Sequence, residues 1–156
     1  MKNDAHQRLE VLLDREIDAA RSLANTLDVE RAALTGPSAE AVTEIADRKI
    51  KLFGLIEQIN RQRLELCDAM SVSLPSMHSG RTPVLAGVPD AIADRWHSLL
   101  ELMARCRVAN EVNGYIINAR RGQVRQLLQI VRGGTPGTYG PQGKHESQSL
   151  RALARA

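Results

Sequence analysis

The sequence predicts an all-α protein: an antiparallel helical hairpin followed by one long third helix, packed as a coiled-coil-like bundle with a flexible C-terminal tail. Three observations predict it. Apolar residues recur at helical spacing over three long segments, and Gly, Pro and Ser cluster between those segments. Aromatic residues are confined to Phe53, Trp96, Tyr115 and Tyr139, which favours slender helix packing over a sandwich or an α/β core. A chain of 156 residues suits one domain with or without a tail.

The first helix is expected over about 6–34. Its stripe is Leu9, Leu13, Ile17, Ala20, Leu23 with Ala24, Leu27 and Leu34, and early acidic residues suit a helix N-terminus. Thr35-Gly36-Pro37-Ser38 then combines a glycine stop, a proline that cannot continue the helix and a hydroxyl cap for the next one. So short a link implies an antiparallel neighbour. The second helix, about 38–70, carries Val42, Ile45, Lys49, Leu52, Leu55 with Ile56, Ile59, Leu66 and Met70, interrupted by Arg63. Residues 71–88 form a loop rich in Ser, Pro and Gly, yet Val72, Leu74, Met77, Val84, Leu85 and Val88 make it too apolar for a solvated linker. Part of it is expected to pack on the helices.

Pro89-Asp90 opens the third helix, expected over 90–132 before Gly133-Gly134 ends it. Its core-facing positions alternate four and three apart: Ile92, Trp96, Leu99, Met103, Cys106, Asn110, Asn113, Ile117, Arg120, Val124, Leu127 and Val131. This is a coiled-coil seam. Its polar middle positions cost stability wherever the seam is dry, so a partner or water is expected to close it. Asn110 and Asn113 read either as a register device or as hydrogen-bonding groups for a helix presented from outside. Gly114 removes a side chain beside them and would admit close approach of another helix. At about 1.5 Å per residue the helix is on the order of 60 Å long, more than the hairpin can cover on both faces. Some of it is expected to lie exposed. Trp96 and the two cysteines, Cys67 and Cys106, are expected in the core.

Charge is unevenly placed. The first seventy residues carry ten Lys plus Arg against thirteen Asp plus Glu, and the remainder eleven against five. The basic excess gathers at Arg105, Arg107, Arg120, Arg121, Arg125 and Arg132. Such a stripe suits nucleic acid, an acidic partner, or a solvated face paired with the acidic first half. Nucleic acid is not expected, because Trp96 and Tyr115 are not interleaved with the arginines as stacking platforms.

The tail, 133–156, is too poor in apolar groups to offset its chain entropy and is expected to be flexible. Its lone aromatic, Tyr139, has the form of a docking anchor. No catalytic, cofactor or metal site is expected. His6, His78, His97 and His145 show no ligand spacing, and the glycines at 133–137 lack the Lys-Ser or Lys-Thr of a phosphate loop. Interleaved charges after Met1 argue against a secretory signal or membrane span, so a cytoplasmic protein is expected.

The chain resembles the FlgN family of flagellar type III export chaperones. The residues that carry the resemblance are Asp94-Arg95-Trp96, Asn110, Asn113-Gly114-Tyr115, Arg120, Gln123, Leu127 and Leu128, then Thr138-Tyr139-Gly140 with Gly143. Members bind the C-terminal region of the hook-filament junction proteins FlgK and FlgL and deliver them to the export gate component FlhA. The resemblance therefore implies a client surface on the third helix at Met103, Asn110, Asn113, Gly114, Ile117, Arg120, Val124 and Leu127. It also implies gate docking through Tyr139, Gly140 and Gly143. The competing reading is a coiled-coil adaptor that pairs with itself, its polar seam positions setting register, which would make the protein a homo-oligomer.

Overall fold

The computed structural model describes residues 2–36, 39–74 and 88–132. Three helices account for nearly all of them: α1 (Lys2–Thr35), α2 (Ala39–Met70) and α3 (Asp90–Val131). The all-α expectation holds, and the described residues contain no strand. The chain divides into two units, Met1–Ile116 and Ile117–Ala156. α1 starts earlier than expected because nothing in Lys2–Ala5 opposes helix and Asp4 favours the first turn. α2 ends in a Schellman cap: Val72 N–H donates to the Cys67 carbonyl and Ser71 N–H to that of Asp68, with Ser71 at φ 55°.

Within the first unit the helices form an up-down-up bundle. The short link makes α1 and α2 antiparallel, and α3 runs alongside α1 in the same direction. Arg95 meets Asp14, Cys106 donates to the Ala20 carbonyl, and Asn113 donates to that of Leu27. The α1 seam is more regular than the apolar stripe suggests. Leu9, Leu13, Glu16, Ala20, Leu23, Leu27, Glu30 and Leu34 step by four and three, and every one is buried. Trp96, Ile92 and Leu99 of α3 pack on Leu9 and Leu13, while Cys106 packs with Leu23, Leu27, Ile56 and Ile59. Trp96 and both cysteines are interior as expected; the two cysteines are free thiols, and burial pushes both thiols up. Leu74 and Val88, at the two ends of the loop, pack on the first of these clusters; the loop between them lies outside the described residues.

Arg63 corrects the sequence reading. It does not interrupt the α2 stripe but occupies it, while Leu55 lies off the stripe and exposed. Arg63 is 3 % exposed and donates from Nε to Oε2 of Glu16 at 2.8 Å; Glu16 is 0 % exposed. A second bond runs to Asn60, and the guanidinium lies 4.5 Å from the centroid of the Trp96 ring. An arginine can sit in a core when its charge is paired and its flat face is stacked. Oε1 of Glu16 has no hydrogen-bond partner among the described residues. Burial pushes the Glu16 carboxyl above its ordinary value near 4.5, outweighing the Arg63 charge and hydrogen bond that pull it down.

Removing one partner strands the other charge in the core. Arg63→Ala is expected to cost about 3–5 kcal/mol in urea unfolding, whereas Glu16→Leu with Arg63→Met is expected to equal or exceed the parent in stability. The pH dependence has a definite sign. A raised folded-state value means that Glu16 favours folding most when protonated, below its ordinary value, and this contribution is lost as pH rises through the folded value. The stability advantage of the double variant should therefore widen from acid toward neutral pH.

Candidate functional site

The site residues expected from sequence all lie on α3 or in the tail, so the helix is best followed along its length. Pro89 caps it, its carbonyl accepting from Ile92 and Ala93. In the first turns, Arg95 reaches α1, with 2.9 Å from Nε to Asp14 and 3.5 Å from Nη2 to Glu10. Beside it, Trp96 enters the core. The Asp94-Arg95-Trp96 motif thus fastens α3 to the hairpin. Met103 is half-buried and packs on both core clusters, which assigns its apolar surface to the bundle.

Two turns further lies a polar layer. Asn113 is 0 % exposed. Its amide donates to the Leu27 carbonyl at 2.9 Å and to Glu30 Oε2 at 2.8 Å, while its Oδ1 accepts from Arg31 Nε at 3.3 Å. Glu30, itself buried, receives Lys49 Nζ at 2.6 Å. Lys49 also donates to Asn110 Oδ1 at 3.4 Å, and Asn110 is otherwise exposed. The expectation that a partner or water closes the polar seam is corrected at Asn113, where α1 closes it, while Asn110 and Arg120 are exposed. The reason is that α1 supplies a buried carboxylate and a carbonyl where the asparagine needs acceptors. Lys49 was legible as a seam position, but Glu30 was not, because a carboxylate is normally counted as surface. Following the four-and-three spacing of α1 through Glu16 and Glu30 would have found it.

Gly114 does not serve a close approach among the described residues. A Cβ built there meets nothing within 4 Å. Tyr115 next to it is 76 % exposed.

The second unit has a different character. Ile117 is half-buried, and every described residue from Asn118 to Arg132 is exposed, in line with the expectation that part of the third helix lies open. Val124 is 55 % and Leu127 61 % exposed, and Leu128, Ile130 and Val131 are exposed with them. At about 100° per residue, Ile117, Val124, Leu128 and Val131 share one side of the helix, with Arg120 and Leu127 on one edge. Runs of exposed apolar side chains on a helix make this segment a candidate docking surface. The eight expected client-surface residues therefore separate. Asn113 belongs to the bundle interior, Met103 to its margin and Asn110 to the Lys49 contact, while Arg120, Val124 and Leu127 are solvent-exposed. Tyr139, Gly140 and Gly143 lie outside the described residues.

No group of His, Cys, Asp and Glu among the described residues is arranged to hold a metal ion. No helix among them is long and apolar enough to cross a membrane.

The described residues thus give a helical bundle and an exposed apolar helix segment. Comparison with known families makes this specific: the model of the family described as FlgN protein matches residues 1–147. The chain belongs to the FlgN family, whose membership points to a flagellar export chaperone acting on export substrates, and which is a chaperone family rather than a known enzyme family. The match extends well beyond the motifs of α3, over α1 and α2. No curated protein and no solved structure matches the chain.

The polar layer yields a test of structure against surface. Asn113→Ala leaves Glu30 Oε2 and the Leu27 carbonyl without the amide donor they meet in the buried seam. It is expected to lower stability by about 1–3 kcal/mol. Asn110→Ala, at an exposed position, is expected to stay within about 0.5 kcal/mol of the parent. Thermal or urea unfolding followed by circular dichroism measures both.

Proposed function

We propose that this FlgN family protein is a cytoplasmic chaperone that holds the C-terminal region of the junction proteins FlgK and FlgL along Ile117, Arg120, Val124 and Leu127. It delivers them to the export gate component FlhA through Tyr139, Gly140 and Gly143. The observation that carries the client half of this reading is the exposure of Val124 and Leu127 together with Leu128 and Val131. A chaperone for export has to cover an amphipathic segment and release it again. An apolar stripe one helix wide, edged by polar groups, fits reversible binding better than a deep pocket does. The gate half rests on the family likeness of the tail motif and on its single aromatic residue.

Val124→Asp and Leu127→Asp are expected to weaken capture of a junction-protein C-terminal segment about tenfold or more. A charge without a partner is costly once the interface is dry. The helical signal and unfolding midpoint of the free protein should barely change, because both positions are open. Equal capture by both variants, measured by titration calorimetry, would remove α3 as the client surface.

Tyr139→Ala separates the two roles. Stability and client affinity are expected to stay near the parent, while binding to the cytosolic domain of FlhA falls about tenfold, the loss of one aromatic anchor in a small interface. An equally large loss of client affinity would contradict this division of labour.

A further inference from the structure

The proposed client surface carries a charge pattern that the apolar stripe does not explain. Between Glu111 and Glu146 the chain has no acidic residue, and Arg120, Arg121, Arg125 and Arg132 fall in that interval. On a helix turning about 100° per residue, Arg121, Arg125 and Arg132 line the edge of the stripe opposite Leu127. The far side presents Asn118, Gln126 and Gln129 together with the exposed Ile130, and carries no charge. The cations are therefore gathered along the apolar stripe rather than spread over the solvated face. The helix dipole does not account for Arg121 and Arg125, since it acts within the last turn and only Arg132 adjoins that end of α3.

We infer that the partner held by residues 117–131 is an amphipathic helix with carboxylates along one edge of its apolar stripe, placed to meet Arg121 and Arg125. This deepens the client reading and takes its site from that reading. Charge complementarity selects this occupant over the others. A second copy would bring arginine against arginine in either orientation, with no acid in the segment to relieve it. The chain's own tail is basic, with Lys144, Arg151 and Arg155 against Glu146. A lipid surface is usually met by a helix that is cationic across its polar face and anchored by Trp or Phe, whereas this segment is neutral there and lacks aromatics.

The test uses the full chain and two labelled synthetic peptides of about four helical turns. Both carry one leucine stripe; one has Glu along its edge and the other Gln. By fluorescence anisotropy the Glu-edged peptide is expected to bind about tenfold tighter at low salt, and the advantage to shrink as ionic strength rises. The double variant Arg121→Gln, Arg125→Gln, both positions being exposed, is expected to abolish the preference with its helical signal intact. Equal affinity for the two peptides, absence of binding to the Glu-edged one, or a preference that persists in the double variant would each overturn the proposal. So would stronger binding to phosphatidylserine vesicles than to the peptide, or a tight dimer that excludes the peptide. A junction-protein segment run in parallel keeps the two readings apart. Capture without salt or arginine dependence removes the acidic edge and leaves the client. Binding of the Glu-edged peptide without capture of the segment removes the client and leaves the acidic edge.

Discussion

Two carboxylates at seam positions of α1, Glu16 and Glu30, constrain the rest of the bundle. Each is buried, and each needs a cation at one place on the facing helix. α2 provides Arg63 and Lys49 at the same two-heptad interval, in the reverse order that an antiparallel hairpin requires. A slip of one heptad would set Glu16 against Ile56 or Met70 and leave a charge buried without a partner, at a cost of several kcal/mol. The ion pairs add little net stability over an apolar core, but they make the wrong registers expensive. The apolar seam alone is nearly self-similar from heptad to heptad and would tolerate them.

α3 adds itself to both layers. Trp96 covers the flat face of Arg63, and Asn113 completes the hydrogen bonding of Glu30. Arg95 holds the same alignment from outside through Asp14 and Glu10. Two motifs that carry the family likeness, Asp94-Arg95-Trp96 and Asn113-Gly114-Tyr115, are thus tied to assembly of the bundle at Arg95, Trp96 and Asn113. The helix changes character along its length: Asn113 is used up inside the bundle, whereas the described residues from Asn118 onward are exposed and combine aliphatic side chains with arginines.

Much of the fold was legible in the residues. Long runs of four-and-three spacing can form little else than paired helices, and Gly36-Pro37 and Gly133-Gly134 mark ends that a helix cannot cross. The positions of Trp96, Cys67 and Cys106 followed from size and polarity. The buried charges were harder to see. Glu16 and Glu30 read as surface and Arg63 as a break in the stripe, because a charged side chain is costly in a core unless paired, and the pairing partner is nearly fifty residues away for one and nineteen for the other.

Read by itself, the chain therefore determined the number of helices, their approximate ends, their seam faces and the family. Periodicity reports which side of a helix faces inward, and that is a local property. What stands opposite a given seam position is not local, and only the packed bundle decided it. Asn113 is an interior group because Leu27, Glu30 and Arg31 of α1 lie against it, whereas Val124 and Leu127, on the same seam by spacing, stand in solvent.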